Sequence, residues 1–155
     1  MLKSAFLLLI MVSFGCSKSG SGYGGDLKPW QAVIETGEKM EWVFGKNYKA
    51  STPTTAEIEL AEELLSQCFS KQVSGTVNRF SGKKLEDYDR QFLGGITESG
   101  EKIIWINCFC KKESDILKNW KSQLIIVADG GNCFFNVKIN VNKQVYYDLM
   151  INGNA

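Results

Sequence analysis

The sequence predicts an α+β domain: one helix packed on a curled antiparallel sheet of four to six strands. Three observations predict it. A single stretch, from about Thr54 to Lys71, carries apolar residues at helical spacing. Everything after Leu85 falls into short runs that alternate or stay apolar, as strands do. Turn chemistry separates those runs, so consecutive strands connect as a meander and the helix lies on their apolar face.

Residues 27–50 mix polar and large apolar side chains. Met40, Trp42 and Phe44 alternate with other residues there, which predicts a strand. The helix follows. Thr54 and Glu57 form a Ser/Thr-x-x-Glu capping box, in which each side chain bonds the other residue's backbone N–H. Ile58, Ala61, Leu64, Leu65, Cys68 and Phe69 share one face, while Glu59, Glu62, Glu63 and Ser66 form a solvated opposite face.

Residues 87–97 and 102–110 flank Glu98-Ser99-Gly100-Glu101, a hairpin turn. A short turn there pairs Ile96 with Ile103 and Gly94 with Trp105, so that the indole fills the space beside the glycine. Ile104, Ile106, Cys108 and Cys110 then share the helix-facing side, and Ile103, Trp105, Asn107 and Phe109 the other. The charged residues 111–121 read as a loop or short helical turn. Leu124 to Ala128 reads as a third strand, and Asp129-Gly130-Gly131-Asn132 as a turn or a glycine bulge. Cys133, Phe135, Val137, Ile139 and Val141 alternate with Phe134, Asn136, Lys138 and Asn140. A three-residue loop, Asn142-Lys143-Gln144, places Val145, Tyr147, Leu149 and Ile151 opposite the apolar set; a two-residue loop would set Val137 against Asp148.

The N-terminus carries its own signal. Lys3 precedes an apolar run from Ala5 to Val12, then Ser13-Phe14-Gly15-Cys16. The run falls well short of the roughly 20 residues that span a bilayer, which favours a cleaved export signal over residues 1–15. Gly15 and Cys16 resemble the −1 and +1 positions of a bacterial lipobox, whereas Phe14 and Ser13 depart from its usual −2 and −3 residues. The resemblance implies lipid attachment at Cys16; the Gly- and Ser-rich composition that follows predicts a flexible tether over 16–26, and the remaining length suits one globular domain over 27–155. Gly20-x-Gly22-x-x-Gly25 matches a dinucleotide fingerprint only formally, because no strand precedes it. Cys16 is not followed by the acidic cluster common in surface-exported lipoproteins of Bacteroidota, which implies an outer-membrane anchor facing the periplasm.

Further strings carry a second resemblance. Trp105-Ile-Asn-Cys-Phe-Cys110, Asp129-Gly-Gly-Asn-Cys133-Phe-Phe135 and Asn152-Gly-Asn-Ala155 resemble those of uncharacterised small lipoproteins of Bacteroidota. The resemblance covers mainly residues 52–155, supports location and fold, and carries over no site. The arrangement of one helix and a curled meander also resembles the cystatin-like fold.

Composition limits the chemistry. The 155-residue chain contains no histidine, which removes His-based triads and most zinc or haem ligation. Losing Lys3 with the signal leaves 17 basic and 17 acidic residues, so no basic footprint for nucleic acid is expected. Glu98 with Glu101, and Asp87 with Asp89, are the carboxylate pairs; neither comes with a recognisable pocket. Neither a Cys-x-x-Cys redox motif nor a zinc knuckle is present, so no metal or cofactor is expected. Cys68, Cys108, Cys110 and Cys133 all face the expected core. If the first strand starts near the helix end holding Cys68, the second strand returns there, and a disulfide from Cys68 to Cys108 or Cys110 follows, with Cys133 left as a buried thiol. Trp105, Phe109, Phe134, Tyr146 and Met150 would project from the other sheet face, a candidate binding face. The preferred alternative is that residues 27–48, with Trp30, Trp42 and Phe44, cover it. The functional expectation is a lipid-anchored, non-enzymatic binding or interaction module with a protein or peptide partner. The alternative is a periplasmic hydrolase or thiol redox enzyme using carboxylates or cysteines.

Overall fold

The structure, a computed structural model, describes residues 25–35, 40–76 and 78–153. The signal at 1–15, Cys16 and nearly all of the 16–26 tether lie outside the described residues. Strand β1 (Gln31–Val33) leads to a one-turn helix α1 (Glu41–Phe44) and a short strand β2 (Lys49–Ala50). Helix α2 (Thr55–Ser74) spans 20 residues, about 30 Å at 1.5 Å per residue. A 3₁₀ turn at Leu85–Asp87 enters β3 (Tyr88–Ile96), followed by β4 (Lys102–Cys110) and a short helix α3 (Lys111–Ser114). A 3₁₀ turn at Gly131–Cys133 enters β5 (Phe134–Asn140), and β6 (Val145–Ile151) completes the sheet. The fold is α+β: one main helix and an open six-stranded, mostly antiparallel sheet of order β1-β3-β4-β5-β6. The exception is β1, which runs parallel to β3; β2 pairs antiparallel with the far end of the same β3 edge.

The α2 capping box forms as expected. The Glu57 N–H donates to Thr54 Oγ1 at 3.3 Å, and the Thr54 N–H donates to Glu57 Oε2 at 2.7 Å. All six expected apolar residues, Ile58 through Phe69, are buried. By contrast, residues 40–44 are not the expected strand. The Val43 and Phe44 amides both donate to the Met40 carbonyl, at 2.9 and 3.0 Å. The resulting turn brings Met40, Val43 and Phe44, spaced three and four apart, onto the sheet together. Trp42 points outward and stays 58% exposed.

Both hairpins differ in register from the sequence expectation. The β3–β4 loop is three residues, closed by Thr97 N–H donating to the Glu101 carbonyl at 2.9 Å. Gly100 sits at φ +82°, the left-handed position such a loop requires. Ile96 therefore pairs with Lys102 and Gly94 with Ile104, while Trp105 lies opposite Leu93. Within β3 the ring over a glycine is that of Phe44, above Gly95. Between β5 and β6, four residues connect Asn140 to its partner Val145. Near this turn Ile139 faces Tyr146 rather than Tyr147. A bulge, with Asp148 at φ +51°, then absorbs one residue and restores the expected pairing of Phe135 with Ile151.

Leu124 to Ala128 forms no strand; β4 pairs directly with β5. The reason lies in two buried amide side chains. Gln91 and Asn107 face each other across β3 and β4. Gln91 Nε2 donates to the carbonyls of Trp120 (2.5 Å) and Gln123 (2.6 Å), and its Oε1 accepts from the Ile125 N–H at 3.0 Å. Asn107 Nδ2 donates to the Ile125 carbonyl at 2.6 Å and to Gln91 Oε1 at 3.1 Å. The segment thus satisfies its backbone against side chains and lies across the sheet face.

Direct β4–β5 pairing also corrects the disulfide. Phe134 stands opposite Phe109, so Cys133 comes beside Cys110 at the same sheet end. The bond joins Cys110 to Cys133, with Cα atoms 4.9 Å apart. Cys68 and Cys108 are buried free thiols, not disulfide partners.

Two apolar clusters flank the sheet. One joins α2 to Phe80, Tyr88, Phe92, Ile104, Ile106, Phe135, Val137 and Ile139. The other joins Leu93, Ile103, Trp105 and Phe109 to Ala32, Ile34, Met40, Val43, Phe44 and Trp120.

Candidate binding cleft

The aromatic face expected after Trp105 is not an open surface. Trp105 is 3% exposed and Phe109 fully buried. Residues from the 27–48 region cover them, as preferred, and so does the segment with Leu117, Trp120, Leu124 and Ile125, which sequence reasoning read as loop and strand. Trp42 meets Trp105 edge-on, ring centroids 5.3 Å apart. Phe134 is half-buried between both clusters. Tyr146 turns to the helix side because of the shifted register. Met150 alone of the five is largely exposed.

The other candidate groups are committed to structural contacts. Glu101 pairs with Lys143 at 2.5 Å, and that ammonium holds its carboxyl below the usual range. Glu98 accepts from Asn47 Nδ2 at 3.4 Å. Asp87 accepts from the Lys84 N–H at 2.8 Å, and Asp89 from Ser114 Oγ at 2.6 Å. The two acidic pairs sit at opposite ends of β3, Asp87 and Asp89 at its start and Glu98 and Glu101 past its last residue, and do not converge. Burial pushes the Cys68 thiol up to about 11 and the Cys108 thiol higher still, so both stay protonated at neutral pH. Among the described residues no group of three or more His, Cys, Asp or Glu side chains could hold a metal.

Charged groups do converge at one place, the end of the sheet where β1 and β3 begin and β4 stops. The Arg90 N–H donates to the Trp30 carbonyl at 2.9 Å, which fixes the approach to β1 beside β3. That approach is a turn: Lys28 O accepts from Gln31 N–H at 2.9 Å, and Gln31 Oε1 accepts from Lys28 N–H at 3.0 Å. Lys111 arrives as the first residue after β4. Lys28, Trp30, Arg90 and Lys111, together with Glu62, Ser66, Leu85 and Glu86, line a cleft of about 250 Å³. A larger, shallower groove of about 540 Å³ follows β1 and shares Lys28; its other charged lining groups are Glu35 and Lys121, and it holds neither the Arg90–Glu62 pair nor the Trp30 ring.

The cleft floor is an ion pair. Arg90 is only 4% exposed. Its Nη1 lies 3.3 Å from Glu62 Oε1, and its Nη2 donates to the Leu85 carbonyl at 2.8 Å. Glu62 Oε1 also accepts from Gln31 Nε2 at 2.6 Å. Glu62 is therefore not simply part of a solvated helix face. Arg90 Nε is buried with no hydrogen-bond partner. The rim is cationic: the ammonium groups of Lys28 and Lys111 lie 5.7 and 5.4 Å from the Trp30 ring centroid. Among the described residues, neither lysine has a carboxylate within ion-pair distance.

Sequence reasoning missed this cleft. One signal was available: Tyr88, Arg90 and Phe92 alternate onto the core face, and a cation in that register needs a buried partner. Trp30 is not part of the cover over Trp105. No family model, curated protein or solved structure matches this chain.

Proposed function

We propose that this chain is a lipid-anchored protein of the bacterial envelope, held at the outer membrane through Cys16 and facing the periplasm, whose domain is a non-enzymatic binding module. The signal-like N-terminus and the lipobox-like Gly15-Cys16 support the anchor. The observation that carries the binding reading is the Trp30 cleft, where two lysines face an indole without a carboxylate partner above a buried arginine. Charges left uncompensated beside an aromatic wall are what a ligand site offers. The cystatin-like comparison belongs to the same proposal. One long helix on an antiparallel meander supports it, and the parallel β1 is an addition to that pattern.

Two measurements test the proposal. Wild-type cells fed an alkyne fatty acid should label the protein, and Cys16→Ser should lose the label and leave the membrane fraction. An unlabelled wild type with a membrane-bound Cys16→Ser variant would overturn the anchor. A fragment screen by saturation-transfer NMR should return molecules whose binding is lost in Trp30→Ala. Hits that bind Trp30→Ala equally well would place the binding site elsewhere.

A further inference from the structure

The composition of the cleft narrows what it can hold. Its lining carries three cationic groups, Lys28, Arg90 and Lys111, against two carboxylates, Glu62 and Glu86. One positive charge is left over. Glu62 already neutralises Arg90 at the floor, so the excess lies at the rim, where Lys28 and Lys111 flank Trp30. Both lysines are exposed and can swing off the indole toward an incoming anion. The apolar part of the lining is Trp30 and Leu85, both partly buried. An anion without a carbon body would leave these two surfaces wet, and a neutral hydrocarbon would leave the ammonium groups unpaired. With Glu86 counted against the two lysines the rim carries one net positive charge, which a monoanion matches and a dianion exceeds.

We propose that the cleft binds a small amphiphilic monoanion: one carboxylate held between Lys28 and Lys111, with a flat or short apolar body against Trp30 and Leu85. This rests on the reading of the cleft as the binding site and names its ligand class. The carboxylate makes charge-assisted hydrogen bonds to the two ammonium groups at the rim. The body occupies the 250 Å³ behind them, enough for a single ring. Arg90 and Glu62 close the floor and set the depth of the cleft.

The test is an NMR titration of the purified full chain, reading the four tryptophan indole N–H signals, with that of Trp30 assigned through Trp30→Phe. The probes are benzoate, benzyl alcohol and inorganic phosphate. Benzoate is expected to shift the Trp30 signal saturably. Benzyl alcohol and phosphate are expected to bind at least tenfold more weakly. The double variant Lys28→Ala/Lys111→Ala removes two exposed side chains and should keep the spectrum of the folded domain while weakening benzoate at least tenfold. Equal binding of benzyl alcohol or phosphate, or unchanged affinity in the double variant, would overturn the ligand class and leave the cleft as a site. If no probe moves the Trp30 signal while the chain is folded, the cleft reading falls with it.

Discussion

At the scale of single residues, Thr54 and Glu57 show how two side chains start the main helix. Each satisfies a backbone N–H that the first turn leaves without a partner. Thr54→Ala should cost about 1 kcal/mol, read as a lower urea midpoint with an unchanged slope. Burial works against the Glu57 carboxylate, yet hydrogen bonds from Lys102 and Thr54 outweigh it, and its pKa lies below the ordinary 4.5. A carboxyl depressed in the folded state stabilises fully above its unfolded value. That contribution should therefore be complete at neutral pH and fade as the pH falls below 4.5 and through the lower folded value. Glu57→Gln should flatten this part of the stability profile; an unchanged acid limb would show that other carboxyls dominate it. Two neighbouring glycines matter for the space they leave. A Cβ on Gly95 would lie 2.8 Å from the root of the buried Phe44 ring, a side chain that would have to shift. A Cβ on Gly94 would overlap the Ser51 carbonyl oxygen, part of the backbone that hydrogen-bonds to Gly94 itself. Gly94→Ala should cost at least the roughly 1–3 kcal/mol of ordinary overpacking, and more than Gly95→Ala. Thermal unfolding of both variants checks the order.

Among the elements, the segment from Leu117 to Ile125 is held with almost no regular structure of its own. Its anchor is Gln91, with both ends of the side-chain amide in use. Gln91→Met keeps the size but strips partners from the Trp120 and Gln123 carbonyls and the Ile125 N–H. An unpaired buried group costs about 1–3 kcal/mol, so local opening becomes the cheaper state. Hydrogen exchange should show the Ile125 amide losing protection while the β3–β4 ladder keeps it. An Ile125 amide that stays equally protected would contradict this account. The same segment shows where sequence reading reached its limit. Leu124–Ala128 is apolar enough for a strand, but its course depends on two amides, Gln91 and Asn107, distant in sequence. The helix was legible because its cap and its apolar face are local patterns. The faces of β4 and β5 were legible because alternation is local too. Register depended on loop conformation: Gly100 shortened one turn, and the Asp148 bulge corrected another midway. The cleft was legible only as a misplaced cation, Arg90. Lys28, Trp30 and Lys111 meet through the parallel pairing of β1 with β3, which no short-range pattern announces.

For the whole molecule, the sheet divides two apolar layers and one covalent bond ties the end where β4 stops and β5 begins. Cys110–Cys133 closes a loop with a sequence separation of 23. On the chain-entropy account such a closure contributes about 3 kcal/mol. Cys110→Ser should lower the unfolding free energy by about that amount, and a reductant should lower the wild type equally without further effect on the variant. Any larger loss on reduction would point to strain or packing beyond the loop. The bond also has a consequence for the integrity of the polypeptide. Everything between Cys110 and Cys133 lies outside the strands, and Lys118 and Lys121 are exposed within it. A protease cut at either lysine would divide the molecule into a piece carrying β1 to β4 and a piece carrying the β5–β6 hairpin. The disulfide and the seven paired residues of the β4–β5 ladder span that cut. The nicked protein should run as one band without reductant and as two with it. The two pieces, made separately with their cysteines, are then the natural halves for reassembling this domain by fragment complementation.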